Sequence, residues 1–298
     1  MTMHTAAIAG CTLILLAASI RPSGAQKERT PRLDDVLARA GEYAVEYGRA
    51  LASVVAEERY TQRLVWRTDK AIRQERRLRS EMAFVRLADS TEWLTFRNVL
   101  SVDDVPVPGA DGRLERLLRG SSPSMIAQAR LVAGESARYN IGPITREINT
   151  PTTALHFVHP EHRPNSRFDK AREDVIDGER VWVVRFRERN RGSLIRRGDG
   201  VNLPAVGLLW IVPTDGRVVR SQLVVEDFVR GSGDSKSAID VTWRRNASLD
   251  LWVPAEMREQ YEGPWLATRT PKQRERYDID GVATYANYRR FTVDVRIK

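Results

Sequence analysis

Three histidines stand at spacings of three in the stretch HFVHPEHRPN: His156, His159 and His162. Imidazole is a common zinc ligand, and three of them could hold a metal. Pro160 breaks an α-helix through them, and on a strand this spacing puts His159 on the opposite face from the other two. No HExxH pattern accompanies them. The expectation is therefore no metal and no cofactor, with HPEHRPN forming a turn at a strand end. Carboxylate chemistry has one adjacent pair to inspect, Glu57 and Glu58. Glycoside hydrolysis uses two carboxylates flanking one bond, and such pairs assemble from distant positions. The plainer reading is a charged helix-to-strand junction. Nucleophilic catalysis lacks its markers: there is no G-x-S-x-G, and Gly231-Ser232-Gly233 has no strand-turn-helix context. Neither a P-loop nor a G-x-G-x-x-G after a strand is present. No catalytic residue is expected.

Two sets of residues suit binding instead. Arg138, Tyr139, Asn140, Arg146 and Asn149 follow a helical stretch. From this set Arg138, Asn140 and Arg146 are candidate contacts to an anionic headgroup, because arginine offers a planar fork to phosphate or carboxylate. Alternatively, Arg138 and Asn140 satisfy backbone groups where helix meets sheet. Trp66, Phe84, Trp93, Phe96, Trp182, Phe186, Trp210 and Trp243 occupy strand positions. They could line a lipid cavity or fill an ordinary core.

The elements that must position these residues are readable from periodicity. From Leu33 to Val55 apolar residues recur at spacings of three and four behind Pro31, which predicts one amphipathic helix. A second helical region comprises Arg113–Leu118 and Ser124–Tyr139, ended by Asn140 and Gly142-Pro143. Most of the rest reads as strand: Glu58–Arg67, Gln74–Leu87, Glu92–Val102, Arg180–Glu188, Gly207–Pro213, Arg217–Val229, Ser237–Arg245, Leu251–Glu262, Arg274–Asp280 and Val282–Val295. Asp-Gly pairs at 111, 177, 199, 215 and 280 punctuate the series, and Asp-Gly accepts the positive φ of tight hairpins. Successive strands joined by tight turns make an antiparallel meander, and the lack of β-α-β alternation argues against Rossmann and TIM architectures. Apolar and polar residues alternate in Ser237–Arg245 and at the C-terminus, where Phe291, Val293, Val295 and Ile297 oppose Arg290, Thr292, Asp294 and Arg296. One dry face and one wet face suit a single curved sheet. The expected fold is α+β: a large curved antiparallel sheet, a half-barrel meander, with both helical segments over its concave face.

Composition sets the outer limits. The chain has 298 residues, 42% hydrophobic and 29% charged, with a net charge of +9. This is globular composition. Residues 6–20, AAIAGCTLILLAASI, followed by Ser23-Gly24-Ala25, read as a secretory signal over Met1–Ala25. An uncleaved anchor is the alternative. Cys11, the only cysteine, falls inside that segment, so the remaining 26–298, taken as one domain, would be free of disulfides. Lys is confined to six positions and Arg supplies the remaining basic charge. Basic excess can mark nucleic acid or anionic lipid partners. Here Asp and Glu are interspersed throughout, and an exported protein would not meet nucleic acid.

Several stretches look like uncharacterised exported bacterial proteins: VVAEERYTQ (Val54–Gln62), SARYNIG (Ser136–Gly142), GLLWIVPTDGRVVRSQL (Gly207–Leu223) and GVATYANYRRFTV (Gly281–Val293). The overall layout resembles the lipoprotein-localisation-factor fold of LolA, LolB and RseB, with a helical insertion at about 103–153. The resemblance implies a cavity for an acyl chain, a lipid or a lipidated protein, and a periplasmic or otherwise exported location. On that basis the expected protein is a non-enzymatic monomer, peripheral to the membrane. The partners would be a lipid, a lipoprotein or an envelope protein. An envelope interaction or sensory module with a packed core, and a hydrolase of an envelope polymer, are the alternatives.

Overall fold

Pro31 sets the entry to α1 (Leu33–Leu51), whose first turn carries Asp34 and Asp35 and whose last turn carries Arg49. These charges match the two poles of the helix dipole. The Asp35 carboxylate accepts the Arg32 backbone N–H at 3.3 Å. One stripe is buried: Val36, Leu37, Ala40, Ala44, Tyr47 and Leu51, with Gly41 and Gly48 between them. The helix stops four residues earlier than its periodicity predicts. Val54 and Val55 instead open the first strand, where β-branched side chains pack well.

The computed structural model describes residues 31–52, 54–86, 93–118, 122–143, 146, 148–189, 192–229, 233–264 and 276–291. The expected signal segment Met1–Ala25 and the last residues of the C-terminal alternation lie outside them.

The strands are β1 (Val54–Trp66), β2 (Ile72–Arg86), β3 (Trp93–Val102), β4 (Val105–Pro106), β5 (Ser166–Ile176), β6 (Glu179–Glu188), β7 (Val206–Ile211), β8 (Val218–Val229), β9 (Gly233–Asn246), β10 (Leu251–Pro264) and β11 (Arg276–Arg290). They form one curved antiparallel sheet in the order β4-β3-β2-β1-β11-β10-β9-β8-β7-β6-β5. Two meanders are thus joined where β1 pairs with β11. Asp103-Asp104 and Asp177-Gly178 adopt positive φ in the β3–β4 and β5–β6 hairpins. Asp280-Gly281, expected to be a turn, lies inside β11, which is one strand and not two. A Cβ on Gly281 would stand 3.0 Å from the Tyr60 ring and 3.3 Å from Glu259 Cβ. This glycine serves close approach across the sheet.

Between β4 and β5 the chain crosses from one sheet edge to the other. It carries α2 (Arg113–Leu118), α3 (Ser122–Ala137) and two short 3-10 helices, Thr153–Phe157 and Arg163–Asn165. The main core fills the concave face. It joins α1 and the Thr153–Phe157 turn to inward residues of nine strands, among them Tyr60, Met82, Phe84, Trp182, Phe186 and Trp243. A Cβ on Gly48 would stand 2.4 Å from Trp93, so the absence of a side chain there is what lets α1 lie on the sheet.

The second helical segment departs from expectation. Leu114 and Leu117 of α2, with Ala129 and Val132 of α3, pack on Val55, Ala83, Val85 and Phe96. On β1 and β2 these residues alternate with concave-face neighbours such as Ala56, Met82 and Phe84, so α2 and α3 lie on the outer face. The reason is that the outer face of β1–β3 is itself apolar there, and it needs a cover as much as the trough does.

Candidate functional site

Inward positions of β1 are not all apolar. Alternation brings Glu58, Tyr60 and Gln62 to the concave face, and β10 adds Glu259 and Tyr261 beside them. Arg97 of β3 reaches in from one side, forming a two-point pair with the buried Glu58. One bond is Nη2 to Oε1 at 2.8 Å and the other is Nε to Oε2. Arg97 Nη2 also donates to the Asn149 carbonyl at 3.3 Å, and its guanidinium lies 4.9 Å from the Tyr60 ring centroid. Arg146 enters from the segment after α3. It donates to Tyr60 Oη at 2.9 Å, to Gln62 Oε1 and to the Ile141 carbonyl at 3.0 Å. Tyr60 and Tyr261 each donate to Glu259 Oε2 at 2.8 Å. Arg146 lies 3.8 Å from the same oxygen and 4.9 Å from the Tyr261 ring centroid.

The electrostatics follow from burial. Desolvation pushes the Glu259 carboxyl up, against the opposing pull of Arg146, Arg97 and the two tyrosine hydroxyls. Burial, with the Glu259 charge added, raises the Tyr60 and Tyr261 phenols well above their ordinary values. For Arg97 burial works against the charge, and Glu58 more than offsets it. Removing one member of such a buried pair costs about 3–5 kcal/mol, because its partner is left charged and dry.

Where this network reaches the surface there is a half-open cavity of about 270 Å³. Its walls are Thr95, Phe96 and Arg97 of β3, Arg130, Ala133, Gly134, Ser136 and Ala137 of α3, and Asn140, Arg146, Asn149 and Thr150 beyond it. Three arginines therefore face an apolar strip. Arg146 Nε, Asn149 Nδ2 and Asn140 Oδ1 are buried without a hydrogen-bond partner. Buried polar atoms of this kind call for a ligand or water.

Of the three headgroup candidates, Asn140 and Arg146 line this cavity. Arg138 is exposed and lies over its neighbour's ring, 5.4 Å from the Tyr139 centroid. Among the aromatic candidates Phe84, Trp93, Trp182, Phe186 and Trp243 sit in the concave core, each 5% exposed or less. Trp66 is half-buried at the end of β1, with Arg73 5.9 Å from its ring centroid. Phe96 lies under α3 on the outer face. Trp210 packs with Val181, Val183 and Val219 in a separate cluster, with Arg220 4.7 Å from its ring centroid. Glu57 and Glu58 do not converge. Glu58 is buried against Arg97, whereas Glu57 is half-buried on the other face and accepts a hydrogen bond from Asn287 Nδ2 at 2.8 Å.

Sequence reading passed over Tyr60, Gln62, Arg97 and Glu259. Their signal was present as polar residues at alternate positions, Glu58-x-Tyr60-x-Gln62 and Glu259-x-Tyr261, in strands whose other inward residues are apolar.

No family description and no curated protein sequence matches the chain. Solved structures do resemble it. An outer membrane lipoprotein-sorting protein domain from Vibrio parahaemolyticus has a TM-score of 0.38 and 10% identity, over 88% of this chain and 95% of that one. A DUF1329 family protein from Desulfovibrio piger has a TM-score of 0.38 and 9% identity, over 89% and 95%. A LolA superfamily protein from Nitrosomonas europaea has a TM-score of 0.30 and 12% identity, over 86% and 96%. Along most of its length the chain is similar in layout to these LolA-superfamily and lipoprotein-sorting structures.

Proposed function

We propose that this is an exported, non-enzymatic protein that binds an anionic amphiphile, an acyl chain under an acidic headgroup, free or attached to a protein. The observation that carries the reading is the cavity at β3, where Arg97, Arg130 and Arg146 meet Phe96, Ala133 and Ala137. The apolar run before Ala25 supports export. Among the described residues no helix is long and apolar enough to cross a membrane.

Size refines the ligand. Ligand pockets commonly span about 300–1,000 Å³, and this one is about 270 Å³. It suits a headgroup and the first methylenes rather than a whole lipid. Each buried CH₂ contributes about 0.8 kcal/mol, and arginine gives the charged end its fork. The concave trough is already occupied by Trp93, Trp182, Phe186 and Trp243, so the site stands at its rim.

The test uses a fluorescent fatty acid and its uncharged alcohol counterpart, titrated into the purified protein. The acid should bind more tightly than the alcohol. Arg130→Ala, a change at an exposed helix position, should weaken the acid and leave the alcohol unaffected. Equal binding of the two probes, no binding, or indifference to Arg130→Ala would each overturn the reading.

A second reading, an envelope protein-interaction module, has its own observation. β4 pairs only with Ser101 and Val102, and among the described residues no strand borders Trp93–Val99 on the side away from β2. An open edge accepts an extended peptide as an added strand. Co-purification of a protein without bound lipid would favour this reading over the first.

A further inference from the structure

The three histidines of the described chain, His156, His159 and His162, fall within seven residues. The segment that holds them is neither α-helix nor strand. Thr153–Phe157 and Arg163–Asn165 are 3-10 helices, and the winding continues between them. The His159 backbone N–H donates to the His156 carbonyl at 3.2 Å, and the His162 N–H donates to the His159 carbonyl at 3.0 Å. With three residues per turn, side chains three apart eclipse one another. A spacing that a strand would divide between two faces is gathered here on one side. The imidazole centroids of His156 and His159 lie 6.3 Å and 5.9 Å from that of His162. Pro160 sits in the turn, outside both 3-10 helices.

This winding also brings in a carboxylate. One ligand atom each from His159, Glu161 and His162 lies within 4.8 Å of the others. The Glu161 backbone N–H donates to His159 Nδ1 at 3.4 Å, a long bond that a metal at that nitrogen would displace. Burial is graded: His159 is buried, His162 is half-buried and Glu161 is exposed.

We propose that His159, Glu161 and His162 form a site for a divalent transition metal of the zinc class, with His156 flanking it. Two imidazoles and one carboxylate without sulfur favour Zn²⁺, Ni²⁺ or Cu²⁺ over Mg²⁺ and Ca²⁺, which prefer all-oxygen sites. Three protein ligands on the rim of the fold leave one position for water or a further group. Bonds of about 2.0–2.1 Å place tetrahedral ligand atoms roughly 3.3 Å apart. The observed spread closes if Glu161 and His162, the two side chains that reach solvent, exchange their present contacts for the ion around His159.

The location gives such an ion a structural task. Trp93 of β3 stacks on His156 with centroids 4.4 Å apart, and its Nε1–H donates to Thr152 Oγ1 at 3.1 Å. On the other side, Arg163 Nη1 donates to the Leu37 carbonyl of α1 at 2.8 Å. A metal would therefore clamp the turn that seats α1 against the start of β3. An ion that binds only the folded chain stabilises it in proportion to its occupancy.

The experiment uses tag-free protein stripped with a chelator, titrated with ZnCl₂ by calorimetry and with CoCl₂ by visible absorption. One Zn²⁺ per chain, a tetrahedral Co²⁺ spectrum and a raised melting temperature are expected. Glu161→Gln and His162→Gln alter groups that reach solvent, so both should fold. Each should weaken zinc by more than about tenfold, the loss that follows even when an outer partner of a metal ligand is removed. Circular dichroism without metal checks that both variants match the parent. Three results would overturn the site: no zinc uptake by the folded parent, uptake that survives the double variant, or magnesium binding as tight as zinc.

Discussion

Glu259 is an acid at the bottom of a trough, and its surroundings pull in two directions. Arg146 at 3.8 Å and two tyrosine hydroxyls favour the anion, while burial favours the neutral acid. Burial prevails, so the folded-state pKa lies above the ordinary value of 4.5. The consequence for stability has a definite sign. As pH rises from 4.5 towards the raised folded value, the unfolded chain loses this proton first, and the native state is destabilised relative to it. Below 4.5 both states hold the proton and the group contributes no slope. Glu259→Gln keeps the shape and removes the titration. Urea midpoints at pH 4 and pH 7 should therefore move in favour of the variant, relative to the parent, as pH rises. A difference that stays constant would show that the Arg146 pairing balances burial, and one that moves in favour of the parent would show that it outweighs burial. That Asn140 and Arg146 lie together beyond a helix was readable from their place in the sequence, and both line the cavity. The partners of Arg146, namely Tyr60, Gln62 and Glu259, were not legible, because pairings between positions more than eighty residues apart leave no local trace.

At the scale of elements, periodicity located α1 and α3, and the expectation that both cover the concave face holds for α1 and fails for α3. The buried stripe of α1 contains two glycines, and that detail decides its fit. A Cβ at Gly48 meets the Trp93 ring at 2.4 Å, a distance that forces the indole or the helix to move. Gly134 of α3 has nothing within 4 Å of the same added atom. The two substitutions to alanine should therefore have opposite signs. Gly134→Ala should stabilise by up to about 1 kcal/mol through helix propensity. Gly48→Ala gains the same propensity but should lose about 1–3 kcal/mol to overpacking. Denaturant unfolding of both variants checks this, and a stabilising Gly48→Ala would mean that α1 does not lie against Trp93. The outer position of α3 was hidden for a related reason. Val55, Ala83, Val85 and Phe96 are scattered through charged strands, and only register shows that they adjoin.

For the molecule as a whole, the antiparallel meander was readable from turn chemistry, whereas the joining of its two halves was not. Nothing local in Val54–Trp66 or Arg276–Arg290 says that these two strands pair, yet this ladder joins the halves of the sheet. The histidine turn lies just ahead of β5, as expected, but α and β periodicities do not include the threefold winding that the chain adopts there. The basic excess also takes its meaning at this scale. Arg63 pairs with Glu75 and Arg220 with Asp240 between neighbouring strands, and Arg289 of β11 reaches past β1 to Glu81 of β2. Exposed pairs of this kind contribute only about 0–1 kcal/mol each. Cohesion must come from the shared core. That core contains Trp93 from the first meander and Trp182 and Trp243 from the second, and α1 touches both sides, with Trp243 Nε1–H donating to Tyr47 Oη at 3.2 Å. The halves should therefore unfold together. Tryptophan fluorescence and far-ultraviolet circular dichroism should trace one coincident urea transition. Leu51→Ala, at a fully buried position of α1, should shift that transition by about 2–5 kcal/mol without splitting it. Two separate transitions in the parent would mean that the β1–β11 ladder and α1 do not bind the meanders into one folding unit, and the trough would then be an interface between two units.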